Sequence, residues 1–104
     1  MYTEVETIRA LTYQVGREIA ALPPGEGGRG AVHKRSAAAV LHAGRACMRV
    51  LDLAVQVHGG MGFMRESEVN RLYRSGKVLE IGAGTTQIRQ LIVAGELLKE
   101  AQAR

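Results

Sequence analysis

Tryptophan is absent from this 104-residue chain, aromatic side chains amount to 4% and there is a single cysteine. One cysteine cannot cross-link the chain to itself, so stability must come from packing rather than from disulfides. Cys47 falls within an apolar helical pattern, where a thiol serves as a small hydrophobe more readily than as a nucleophile. A sheet sandwich usually carries more aromatic and β-branched pairs than this composition supplies; a core of Ala, Val, Leu and Ile suits close-packed helices. No apolar run approaches the ~20 residues that span a bilayer. No charged-then-apolar leader opens the chain, so nothing in it points to secretion. The only two prolines stand together, Pro23-Pro24.

Apolar residues make up 46%, enough to build a core, and the length suits one small domain or a piece of a larger one. The formal charge is +4, with a pI near 9.7. Such a surface attracts nucleic acid, acidic lipid or a phosphate-rich ligand, or else belongs to a piece whose acidic partner surface lies elsewhere. Nucleic acid is disfavoured, because Arg and Lys are spread around the pattern and few aromatics exist to stack bases.

Val5, Ile8, Leu11, Val15, Ile19 and Leu22 recur at steps of three or four and predict a helix over Tyr2 to Leu22. Pro23-Pro24-Gly25-Glu26-Gly27-Gly28 ends it in an exposed connection. Ala31 to His58 reads as a long second helix, with Val40, Leu41, Ala43, Cys47, Met48, Leu51, Ala54 and Val55 as its apolar stripe and Gly59-Gly60 as its stop. Ser67 is placed to cap a shorter third helix holding Val69, Leu72, Tyr73 and Val78 to Ile81. Thr85 or Thr86 caps a fourth, with Ile88, Leu91, Ile92, Leu97 and Leu98 as its expected buried stripe. The expected fold is all-α: one partial domain over residues 1–104, an antiparallel bundle of three longer helices and one short helix.

Two glycine clusters stand at the helix ends. Gly59, Gly60 and Gly62 permit positive φ and close backbone approach, and Gln56, about one turn earlier, offers an amide that donates and accepts. The group can hold a base edge or a phosphate; equally, the glycines can serve only to end one helix and reverse the chain. Thr85, Thr86 and Gln87 lie at a helix N-terminus, where free N–H groups and the dipole attract negative charge. Ordinary threonine capping is the alternative. This is no P-loop, since no Lys follows the glycines at the required place. His58 has no Cys or carboxylate at metal-ligand spacing and reads as a packed or backbone-contacting histidine.

The ordered set Gln56-Val57-His58-Gly59-Gly60-Met61-Gly62-Phe63, then Glu66, Arg71 and Arg74, then Gly84-Thr85-Thr86-Gln87-Ile88, resembles the C-terminal helical domain of the acyl-CoA dehydrogenases, a family of flavoenzymes. The likeness is strongest from Asp52 to Lys99. It implies FAD as cofactor. Gln56, Val57, His58, Gly59 and Gly60 then contact the adenine and pyrophosphate of an FAD held mostly by a neighbouring subunit. Thr85, Thr86 and Gln87 approach the flavin, and Ala83 and Gly84 face the acyl thioester. The resemblance further implies an acyl-CoA substrate and a homo-oligomer, a tetramer built as a dimer of dimers, in the full-length protein. An electron-transfer flavoprotein is a candidate acceptor. The implied location is cytoplasmic, or the mitochondrial matrix in a eukaryote.

Chemistry in this family removes an α-proton with a carboxylate and sends a β-hydride to the flavin. Many members carry the carboxylate as Glu-Gly-Thr; here the position is Ala83, which accepts no proton. No catalytic residue is therefore assigned within the chain, and no metal ligand. In members resembling the isovaleryl-CoA dehydrogenases, with Ala-Gly at this place, the glutamate comes from an upstream helix, which here would precede Met1. Leu79-Glu80-Ile81-Gly82-Ala83-Gly84-Thr85 matches that pattern. The alternatives are a non-catalytic oligomerisation or FAD-contacting subunit and a flavin monooxygenase of the same superfamily. Glu80, three residues before Ala83, reads as a helix-end carboxylate paired with Arg or Lys. Two departures from the family pattern remain. Ser75 replaces an acidic residue, which removes an expected partner of Arg71 or Arg74. Gly95 replaces Arg, at a cost of about 1 kcal/mol in a helix interior. Alone, the chain is expected to be inactive, to bind little FAD and to expose apolar surface.

Overall fold

A computed structural model describes all residues from Met1 to Arg104. It contains α1 (Tyr2–Ala20), α2 (Ala31–His58), α3 (Gly60–Phe63), α4 (Glu68–Gly76), α5 (Val78–Ile81) and α6 (Thr86–Gln102), with no strand. The three longer helices and the short α4 are those the periodicity predicts. The third predicted helix divides after Gly76 into α4 and the single turn α5, and the single turn α3 follows the glycines that close α2.

The 28-residue α2 is the spine, and it packs against every other element. Its pairs with α1 run antiparallel: Glu4 meets Arg49, with Nε to Oε1 at 2.7 Å, and Glu18 meets Arg35 at 2.6 Å. Helix α6 also runs antiparallel to α2, with Lys34 and Glu100 joined at 2.5 Å near its far end. Small residues make these approaches possible. Ala37, Ala39, Gly44 and Ala46 are buried along α2, and a Cβ at Gly44 would stand 3.1 Å from the backbone oxygen of Leu79.

Three helices side by side leave much of each helix uncovered. Nine of the 104 residues are buried, and no large side chain is fully enclosed. The radius of gyration is 16.6 Å, against about 13 Å for a spherical domain of this length. Exposed apolar side chains include Val5, Tyr13 and Ile19 on α1, and Val40, Leu53 and Val57 on α2.

Helix α6 corrects the expected stripe. Leu91 is 68% and Leu98 63% exposed, and Ile88 and Leu97 are exposed as well; only Ile92 of the five is half-buried. The inward positions are instead Thr86, Arg89, Val93, Glu96 and Glu100, again at steps of three and four. The reason is the partner face. α2 meets α6 partly through Lys34, and the bend before α6 offers backbone oxygens, so polar groups turn inward and the apolar row faces out.

Candidate functional site

The first glycine turn forms at the C-terminus of α2. Gly59 has φ +58° and ψ −139°, a conformation that residues with a Cβ rarely adopt, and its N–H donates to Gln56 O at 3.1 Å. The chain then folds back so tightly that a Cβ at Gly62 would lie 2.5 Å from Val55 O. Asn70 of α4 ties the turn down, its Nδ2 donating to Gly62 O at 3.1 Å and to Phe63 O at 3.2 Å. His58 Nδ1 donates to Ala54 O at 2.8 Å, the backbone-contacting role expected of it. Gln56, Val57, His58, Gly59 and Gly60 are all exposed, with Val57 at 76% and the neighbouring Phe63 at 81%. No cleft encloses them.

The second turn is built differently. Thr85 is the N-cap of α6, its Oγ1 accepting from Ile88 N at 3.2 Å, so Thr85 rather than Thr86 is the cap. Thr86 is buried and turns its hydroxyl back to Glu80 O at 3.4 Å. Arg89, 8% exposed, donates from Nη1 to Leu79 O at 2.7 Å and from Nη2 to Gly82 O at 2.9 Å. Between these contacts Ala83 adopts φ +53°, the only non-glycine residue with positive φ, and Gly84 follows at +102°.

Thr85, Thr86 and Gln87 line a cleft of about 330 Å³ with Arg45, Lys77, Glu80 and Ile81. Lys77 Nζ donates to Glu80 Oε2 at 2.5 Å, the carboxylate pairing expected for Glu80. Arg45 is exposed and engages no carboxylate, so the cleft carries one uncompensated positive charge beside a helix N-terminus. Ala83 lies on the other side of the bend, lining a more apolar groove of about 330 Å³ with Val40, Ile92, Arg89, Ala37, His33 and Ser36. Cys47 is half-buried, and burial together with the nearby Glu80 charge pushes its thiol pKa up, which keeps it protonated and unreactive.

The two turns stay apart. Arg45 and Gln56 are eleven positions apart on α2, about 16 Å at 1.5 Å per residue, and no cleft contains residues from both. Ser67 occupies the N-cap of α4 without a side-chain cap bond. Arg71 finds a partner despite Ser75, gripping Glu68 with Nε to Oε2 at 2.9 Å. Asn70 and Arg89 are the residues that sequence reasoning missed. Arg89 interrupts the apolar row between Ile88 and Ile92, and Asn70 sits beside Val69, the buried residue of α4. Neither placement is a signal by itself, because the carbonyls that each residue meets lie seven or more positions back in the chain.

Comparison with known proteins decides the family. The family described as "Acyl-CoA dehydrogenase, C-terminal domain" matches residues 1–98. This chain belongs to the acyl-CoA dehydrogenase family. It is 37% identical to mitochondrial isovaleryl-CoA dehydrogenase of Oryza sativa subsp. japonica over 101 residues, 96% of this chain and 23% of that protein. A probable acyl-CoA dehydrogenase of Bacillus subtilis is 44% identical over 66 residues, 64% of this chain and 17% of its own length. A subunit of the caffeyl-CoA reductase-Etf complex of Acetobacterium woodii is 39% identical over 67 residues, 64% of this chain and 18% of its own length. The acyl-CoA dehydrogenase domain seen here thus spans about a fifth of the length of the curated relatives it matches. No helix of this family member is long and apolar enough to cross a membrane.

Proposed function

We propose that this chain is the C-terminal part of an FAD-dependent acyl-CoA dehydrogenase that introduces an α,β double bond into an acyl-CoA thioester. The observation that carries the reading is the second turn. The residues with the family pattern, Thr85, Thr86 and Gln87, line a polar cleft with a free cation, while the adjoining Ala83 lines a more apolar groove. That combination suits a group with an anionic or polar ring edge next to an acyl chain.

The residues present fit FAD. Thr85, Gln87 and Arg45 offer hydroxyl, amide and cationic partners at the cleft while Thr86 holds the bend behind them, and the acyl thioester is assigned to the groove beside Ala83 and Gly84. Gln56, Val57, His58, Gly59 and Gly60 form an exposed turn that shares no lining residue with that cleft, which suits contact with an FAD held by another subunit of a homotetramer. Bound FAD supplies the hydride acceptor; the chain's own residues bind and orient. The base is a carboxylate from upstream sequence, because Ala83 holds none and Glu80 is occupied by Lys77. Electron-transfer flavoprotein is the proposed acceptor, in keeping with the Etf-complex relative, and the location is cytoplasmic or the mitochondrial matrix.

The test is the complete reading frame, purified and mixed anaerobically with a panel of acyl-CoA thioesters. Bound FAD that loses its oxidised absorbance on mixing supports the reading; a full-length protein without flavin overturns it. The 104-residue chain alone should retain no stoichiometric flavin. Glu80→Gln in the full-length protein should leave reduction intact, and its loss with FAD still bound would make Glu80 the base. The broad exposed apolar surface favours a second reading, a non-catalytic subunit that serves assembly. A full-length protein that assembles and binds FAD yet is reduced by no thioester would select it.

A further inference from the structure

Arg89 is the one charged residue among the buried positions, and the dehydrogenase reading gives it no role. Its guanidinium meets two backbone carbonyls, Leu79 O and Gly82 O, and forms no ion pair. Burying a charge is unfavourable unless strong hydrogen bonds offset it. What these bonds hold is the bend itself. The next residue, Ala83, sits at φ +53°. That conformation lowers an L-residue's population by about fivefold to thirtyfold relative to the right-handed region. Such a residue persists only where its surroundings over-determine it. Thr86, three positions before Arg89 on the same helix face, reaches back to Glu80 O. The first turn of α6 therefore grips the bend at Leu79, Glu80 and Gly82.

We propose that Arg89 is a positioning residue whose two charge-assisted hydrogen bonds hold Ala83 in the left-handed conformation, and so fix how Ala83, Gly84 and Thr85 stand at the site. What this means for an acyl thioester rests on the dehydrogenase assignment; the clamp itself does not.

The experiment compares Arg89→Gln, Arg89→Lys, Ala83→Gly and the double variant Arg89→Gln/Ala83→Gly. Amide hydrogen exchange at Gly82 and Ile88 reports the bend and the cap, and Ala46, fully enclosed on α2, reports the core. Arg89→Gln should speed exchange at Gly82 and Ile88 by about fivefold to thirtyfold with Ala46 unchanged. Arg89→Lys, a point charge that cannot span both carbonyls, should fall between. Glycine at position 83 removes the strain, so in that background the Arg89→Gln effect should shrink to below about threefold.

A purely structural arginine gives another pattern: exchange rises at Ala46 as much as at Gly82, and the two substitutions act additively. Either result overturns the proposal. If Arg89→Gln does not fold, Arg89→Lys with and without Ala83→Gly supports the same comparison. In the flavin-loaded full-length protein, Arg89→Lys should lower kcat by about tenfold at unchanged FAD content and KM. Unchanged kcat would overturn the catalytic part. A wild-type protein devoid of flavin rejects the dehydrogenase assignment, and the exchange data then judge the clamp alone.

Discussion

Both glycine turns end or begin a helix, yet they are stabilised by different means. After Gln56 the backbone does the work: Gly59 takes a φ closed to most residues, Gly62 presses against Val55 O, and one side chain, Asn70, fastens the result. Its candidate contact residues are left in the open. Before Thr86 the side chains do the work: Thr85, Thr86 and Arg89 hold the bend from within α6, and the surroundings form a lined cleft. A turn fixed by backbone sterics can be presented to another subunit without support. A turn fixed by side chains needs its own helix, and suits a site that this chain shapes itself.

The contrast can be broken most sharply at Gly62. Gly62→Ala places a Cβ against Val55 O and should destabilise the chain by roughly 1–3 kcal/mol in urea unfolding, with NMR shifts confined to the first turn. An unchanged midpoint would mean that α3 is not seated on α2. Asn70→Ala removes two hydrogen bonds and should cost roughly 1–2 kcal/mol. Asn70→Asp should be worse, because a carboxylate oxygen would then face two carbonyl oxygens. At the second turn, Thr85→Ala should cost about 1 kcal/mol and Thr85→Ser little, with no shift at Phe63. Gly95→Ala lies beyond both turns, and an added Cβ there meets nothing within 4 Å. It should stabilise the chain by about 0.5–1 kcal/mol and move neither turn.

Acid should act least. The Arg71 hydrogen bond holds the Glu68 carboxyl below the ordinary 4.5, and Arg49 and Lys99 do the same for Glu4 and Glu96. A depressed carboxylate pKa contributes stability above its unfolded value, and that contribution is lost as pH falls through the folded value. Thermal scans should therefore be flat from neutrality down to about pH 5 and decline below it as these carboxylates take up protons. A fall that begins well above about pH 5 would mean that these three ion pairs do not set the acid limit.

Much of this was legible in the order of residues. The 3.6-residue period locates α1 and α2 within about two positions and the starts of α4 and α6 from their caps, and Gly59 ends α2 as glycine usually does. The division at Gly76 was not legible, because helix-forming residues continue on both sides. Nor was the orientation of α6. Periodicity finds an apolar row but not what it faces, and here Leu91 and Leu98 look outward while Arg89 looks in. At the site, the threonine cap was readable from local rules. Arg89 and Asn70 were not, since each satisfies carbonyls seven or more residues back in the chain, a relation that no short-range pattern encodes.

Gly44 lines neither the cleft nor the groove, yet a Cβ there would stand 3.1 Å from Leu79 O and 3.5 Å from the Glu80 Cγ. A single methyl there would crowd the very oxygen that Arg89 grasps, so that α2 or the bend must give by a few tenths of an ångström. A substitution at position 44 should therefore be felt at the bend. The room that a glycine leaves inside α2 thus helps to set the shape of a turn much further along the chain.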